Sequence, residues 1–165
     1  FMERIVSNSF IAFLLMLLIG CGFHLRGAID YSDSLKSVHI EGISLQRGIG
    51  LYLKRGLSSN GIEVVDTYQQ GSAVLKVIET KHDRRVLSVG SDAKVSEYAL
   101  YSSISFSVTD SHGKILVGSQ QVQAQRDFQF NENQVLARES EEASLRHHLN
   151  KELVQAVLRR LSAIK

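Results

Sequence analysis

Two kinds of residue in this 165-residue chain could do chemistry: a single thiol, Cys21, and a group of cations along one stretch, Lys81, Arg84, Arg85 and Lys94, with Arg138 further on. A thiol is a nucleophile and an acyl acceptor. Guanidinium and ammonium groups are natural partners of phosphates. Each cation is equally an ordinary solvated charge until geometry says otherwise. The six histidines do not suggest a metal or an acid–base site. His147 and His148 are neighbours on a helical stretch and point about 100° apart, unsuited to shared ligation. His24 and His112 have no partner at ligand spacing. Gly48-Ile49-Gly50 lacks the third glycine of a dinucleotide loop, and no Gly-x-Ser-x-Gly elbow occurs. The chain reads as a non-enzyme, without a metal or a diffusible cofactor.

What precedes Cys21 says which chemistry its thiol meets. Phe10 to Ile19 is an unbroken apolar run of ten residues, with Arg4 the only cation upstream. As a helix it covers roughly 15 Å, half of a hydrocarbon core of about 30 Å, and it has the length of a signal-peptide hydrophobic region. The run has neither helical nor strand periodicity, which argues against a core segment. Leu18-Ile19-Gly20-Cys21 resembles the lipobox of bacterial lipoproteins, in which the cysteine is acylated and the chain is cut just before it. An ordinary secretory leader with a chance cysteine is the other reading. The resemblance implies a cleaved signal peptide over 1–20 and an S-diacylglycerol, N-palmitoyl anchor on Cys21, each buried acyl CH₂ contributing about 0.8 kcal/mol. Gly22 stands where an Asp would favour inner-membrane retention, so the same resemblance implies the outer membrane.

With the thiol committed to lipid, no cysteine remains for a disulfide or a thiolate ligand. The formal net charge of +2 and the absence of like-charge blocks exclude the electrostatic footprint of a nucleic-acid binder.

The elements that must position the cations follow from period and turn chemistry. Residues 22–35 hold no period and are rich in Gly, Ser and Asp, as in a tether. Ser37–Glu41 alternates as a strand. Ser44 is placed to cap a helix with the stripe Leu45, Ile49, Tyr52, Leu53 and Leu57, weakened by Gly48, Gly50 and Gly56 and closed by Asn60-Gly61. Ile62–Val65 is a short strand. Residues 73–88 are strand-like, but Lys81-His82-Asp83-Arg84-Arg85 must face water or a polar partner. From Tyr98 to Thr109, Leu100, Ile104, Phe106 and Val108 alternate with Ser103, Ser105 and Ser107. Asp110-Ser-His-Gly113 has hairpin chemistry, and the return strand changes apolar parity between Val117 and Val122, which predicts a bulge near Gly118. A long helix follows, capped by Asn131 or Asn133, with acids early and Arg159 and Arg160 late. Its stripe is Leu145, Leu149, Leu153, Ala156, Val157, Leu161 and Ile164. The pattern predicts an α+β two-layer sandwich, two helices on one face of a four-stranded, largely antiparallel sheet.

The string Cys21-Gly22-Phe23-His24-Leu25-Arg26-Gly27 resembles the N-terminus of the LptE family of lipopolysaccharide-assembly lipoproteins. Val38-His39-Ile40, Asn60-Gly61, Ser96-Glu97-Tyr98 and Asn133 to Arg138 agree in order and spacing. The resemblance implies the same sandwich over 36–165, after a lipidated tether over 21–35. It implies an outer-membrane lipoprotein that plugs the lumen of the lipopolysaccharide-assembly β-barrel LptD and helps deliver lipopolysaccharide to the cell surface. It also implies lipopolysaccharide contacts through basic residues, Arg138 first, with Lys94, Arg84, Arg85 and Lys81 as further candidates. The uncharged faces Ser103-Ser105-Ser107 and Ser119 to Gln125 suit a polar barrel lumen or, equally, water. The competing expectation is a lipid-anchored adaptor for barrel assembly with no lipopolysaccharide affinity.

Overall fold

A computed structural model describes residues 31–91, 93–129 and 135–164, with the side chains of 135–138 outside that description. After a 3₁₀ turn at Asp33–Leu35 come β1 (Ser37–Glu41), α1 (Gly48–Ser59), β2 (Glu63–Val65), β3 (Ala73–Val89), β4 (Val95–Thr109), β5 (Ile115–Gln129) and α2 (Val135–Leu161). The two helices pack on one open sheet of order β2-β1-β3-β4-β5. The sheet therefore has five strands rather than four, and it is mixed. β1 pairs in parallel with both β2 and β3, while β3–β4 and β4–β5 are antiparallel. The three-residue β2 is a full neighbour of β1 because α1 provides the crossover that a parallel pair needs. Of the expected tether, 31–35 packs on the domain: Leu35 is fully buried and Tyr31 lies against the core. Cys21 and residues 1–30 lie outside the described residues, as do Asn131 and Asn133.

α1 buries its expected stripe but does not start as expected. The Ser44 hydroxyl donates to Gln46 Oε1 at 3.1 Å, and Arg47, in extended conformation, holds the N-cap position without a side-chain cap bond. The C-terminus is as read. Gly61 adopts φ +80° and its N–H donates to the Ser58 carbonyl, while Ile62 N–H reaches back to Leu57, a Schellman end with its apolar pair, Leu57 and Ile62, both buried.

The glycines that weaken α1 locally serve its packing. A Cβ on Gly56 would stand 2.4 Å from Val154 Cγ1 of α2, so the missing methyl is what lets the two helices approach. Val154 and Leu158, which the expected stripe omits, are both buried, and a Gly56 Cβ would meet them both.

Two of the register shifts in the long strands bear on the core and on the placement of the cations. Phe106 pairs with Gln120 and Val108 with Val117, so Gly118 and Ser119 oppose a single residue of β4, as the parity change predicts. A second bulge was not legible in the sequence: Val77 pairs with Phe106 and Glu79 with Ser105, leaving Ile78 extra. Before it, Ala73, Leu75 and Val77 face the helices. Beyond it the even residues Thr80, His82 and Arg84 do so, paired with Ile104, Ser102 and Leu100. The main core fills the space between both helices and the proximal sheet. A second, small cluster of Leu100, Phe128 and Leu149 lies under the N-terminal half of α2.

Gly56→Ala should destabilise the fold by roughly 1–3 kcal/mol through overpacking, read as a lower denaturant midpoint at unchanged slope. Gly56→Ala combined with Val154→Ala should cost less than the sum of the two single changes. An additive pair would show that the helices do not meet at this contact.

Candidate functional site

The Ile78 bulge decides where the cations go. Arg84 and Arg85 are adjacent in a strand and point to opposite faces. Arg84 lies on the helix side, 3.5 Å from Glu142 of α2 and with its guanidinium 5.0 Å from the Tyr98 ring centroid. Arg85 lies on the open side, 4.6 Å from the centroid of Tyr101. Lys81 shares that open face and pairs with Glu79 at 3.1 Å. Lys94 is exposed in the turn between β3 and β4, where its carbonyl accepts from Gly90 N–H at 2.7 Å. Arg138 lies within α2, but its side chain is outside the described residues. The five candidates thus do not form one cluster, contrary to a reading of them as a single stretch. The structure brings together Lys81 and Arg85.

Around that pair the open face forms a shallow basin of about 190 Å³, lined also by Asp83, Tyr101, Gln121 and Gln123. Register explains the membership. Lys81 lies across from Ser103 and then Gln123, and Asp83 from Tyr101 and then Gln125, so alternate residues of three strands share one polar surface. Gln121 Nε2 donates to Ser103 Oγ at 3.1 Å. Tyr101 was not singled out in the sequence, and Asp83 was read only as part of a polar run. The alternation Lys81, Asp83, Arg85 was the available signal, and it becomes legible only once the bulge sets the phase. The face is not uniformly basic, since Glu79 and Asp83 stand among its cations. It can offer two positive groups and several amides and hydroxyls to an anionic, hydroxyl-rich ligand.

The opposite side of the same strand carries a second polar arrangement. His82 Nδ1 lies 2.8 Å from the buried hydroxyl of Ser102. Glu142 accepts from Arg146 at 2.8 Å as well as pairing with Arg84. Burial of the ring, then the nearby Arg146 guanidinium, hold the His82 pKa below its ordinary value, against a smaller opposing pull from Asp83. Among the described residues, no three His, Cys, Asp or Glu side chains are placed to hold a metal ion, and no helix is long and apolar enough to cross a membrane.

Because the folded His82 binds its proton less readily than the unfolded one, the unfolded state takes up more protons as pH falls below about 6.5. Its contribution to stability is therefore present above that pH and lost on acidification through the lowered pKa. Thermal midpoints should fall between pH 7 and 5, and His82→Asn should flatten that fall; an unchanged slope would remove His82 as its source.

Comparison with known proteins places this geometry. The family model LptE, lipopolysaccharide-assembly, matches residues 35–161. The LPS-assembly lipoprotein LptE of Photorhabdus laumondii is 22% identical over 163 residues, covering 99% of this chain and 88% of that protein. The LPS-assembly lipoprotein LptE of Pectobacterium atrosepticum is 25% identical over 146 residues, covering 88% and 78%. Among solved structures, lipoprotein B of Nitrosomonas europaea superposes with a TM-score of 0.70 at 28% identity, covering 86% of this chain and 91% of that one. A minor lipoprotein of Acinetobacter baumannii gives 0.65 at 23% identity, covering 78% and 92%, and this likeness speaks for the fold alone.

Proposed function

Since the chain belongs to the LptE family of lipopolysaccharide-assembly proteins, we propose that it acts in the outer membrane as a lipoprotein anchored through Cys21. In this reading it complexes with the assembly β-barrel LptD, occupies the barrel lumen from the periplasmic side, and binds lipopolysaccharide on its way to the cell surface. The role is one of binding and assembly, without catalysis. The observation that carries the lipopolysaccharide step is the open face, where Lys81 and Arg85 stand above Tyr101, Gln121 and Gln123. Phosphates on lipid A and core sugars meet the two cations, and the amides and hydroxyls meet sugar hydroxyls. The same uncharged rows, Ser103-Ser105 and Gln121-Gln123, suit a polar lumen wall. Arg138 and Lys94 are further candidate contacts, Arg138 on the strength of its family position. Arg84, held against Glu142, serves the fold first.

Opposite substitutions separate these roles. Lys81→Glu with Arg85→Glu should weaken lipopolysaccharide binding by at least about tenfold, the loss of one charge-assisted contact of about 1.5 kcal/mol. Arg84→Glu should leave binding near the wild-type value and lower the unfolding midpoint, since it places two carboxylates together on the helix face. Binding unchanged in the double variant, with barrel assembly intact, would leave the adaptor without lipopolysaccharide affinity as the better reading.

A further inference from the structure

Among the described residues the sheet leaves strand edges unpaired in three places, and the sequence treats them differently. β2, at one end, is three residues long. β3 beyond Lys76 is no longer paired with β1, and there it carries Glu79, Lys81, Asp83, Arg84 and Arg85. Shortness and charge both keep an edge from pairing with another chain. β5, at the other end, is fifteen residues long, and neither device protects its middle. Between the bulge at Gly118 and Ser119 and the charge of Arg126 it reads Gln-Gln-Val-Gln-Ala-Gln, without charge, proline or glycine. Among the described residues only β4 pairs with it, so over 120–125 alternate residues turn both N–H and C=O away from the sheet.

Beside this edge runs a groove. α2 lies along β5 in the opposite direction: Leu149 clusters with Phe128, Glu152 pairs with Arg126, and Ala156 shares with Ala124 a cleft of about 490 Å³ walled by Lys151, Gln155 and Arg159. The two alanines are small and half-buried, which gives the cleft an apolar floor. Lys151 and Arg159 are exposed and make no ion pair among the described residues, whereas Glu152 is held by Arg126.

We propose that the β5 edge and this cleft together take up an extended segment of a protein partner as a sixth strand. A regular row of N–H and C=O groups beside a groove is matched by another backbone, so the partner is a polypeptide rather than a lipid. Positions of an added strand that face α2 recur about every 6.8 Å, and Lys151, Gln155 and Arg159 recur about every 6 Å along the helix. The segment that fits therefore has three alternate residues facing the cleft: carboxylates at the first and third, against Lys151 and Arg159, and a small aliphatic residue between them, over Ala124 and Ala156. This pattern is the same read in either direction. The cleft adjoins the Lys81–Arg85 basin at Gln123 but lies on the helix side of β5, and its use does not depend on lipopolysaccharide binding.

A fluorescein-labelled peptide Thr-Glu-Thr-Val-Thr-Asp-Thr, titrated with the full chain in a zwitterionic detergent, should bind. The same peptide with both acids replaced by lysine should bind at least about tenfold more weakly, the loss of one charge-assisted contact. Lys151→Glu combined with Arg159→Glu should reverse that preference. Hydrogen exchange read by mass spectrometry should show new protection at 120–125 in the complex and none along β2. Strand pairing makes a further demand: of two peptides N-methylated at one or the other set of alternate residues, one should bind like the parent and the other should not. No binding of the acidic peptide, equal binding of the lysine peptide, both methylated peptides binding alike, or binding without protection at 120–125 would each overturn the proposal. Protection of 120–125 in the chain alone, together with a dimer in sedimentation, would also overturn it and assign the edge to a second copy of this chain.

Discussion

The apolar face of β4 must be covered along its whole length, and the architecture follows from that requirement. From Leu100 to Val108 the strand presents Leu100, Ile104, Phe106 and Val108 to one side, all essentially buried. A fifteen-residue strand extends about 50 Å. α1, with twelve residues and about 18 Å, covers only the proximal part, whereas α2, with twenty-seven, extends about 40 Å and reaches the distal part. The core is accordingly thick where both helices lie on the sheet and thin where α2 lies alone over Leu100 and Phe128. Apolar burial per residue is lower in that distal portion, so polar contacts take a larger part there: Arg84 with Glu142, Glu142 with Arg146, His82 with Ser102.

This division also separates the tasks of the sheet. The proximal half, with β1 and β2 at its edge, is buried against helices and holds the fold together. The distal half is a three-stranded ribbon whose helix face is only partly covered by α2 and whose other face carries Lys81, Asp83, Arg85 and the glutamines of β5. The Ile78 bulge stands at the junction. Without it Leu75 and Lys81 would point to the same side, and Lys81 and Arg85 would be driven under α2 while Arg84 turned outward.

How much of this was legible in the sequence depended on whether apolar residues marked the phase. In β4 they did, at Ile104, Phe106 and Val108, and the buried face was read directly. In β5 the change from Val117 to Val122 exposed the bulge at Gly118 because apolar residues stood on both sides of it. In β3 the residues from Glu79 to Arg85 are all polar, so no apolar alternation follows Ile78 to report the extra residue there, and Arg84 and Arg85 were read as one group. The short strand at 62–65 was read as a strand but left out of the four-stranded count, because its place in the sheet is set by its partner β1 and not by any pattern of its own three residues. Gly56 looked like a defect of α1 because the reason for it, Val154, lies about a hundred residues away. The family was legible in a short string around Cys21 and is carried independently by the match over residues 35–161, whereas the cation pair of the open face required the register.

The order β2-β1-β3-β4-β5 has a consequence for how the chain finds this shape. β3, β4 and β5 are joined by five-residue turns at 90–94 and 110–114, while β1 reaches β3 only after residues 42–72 have been closed into a loop. The entropy of closing that longer segment exceeds that of a five-residue turn by about 1.6 kcal/mol. The meander is therefore the inexpensive part of the search, and the parallel pairing of β1 beside β3 is the slow, non-local step that contact order associates with late assembly. Until β1 arrives, the proximal edge of β3, where Ala73, Leu75 and Val77 carry the apolar face, is open. The segment that completes the sheet comes from the beginning of the domain, so early synthesis does not bring early docking.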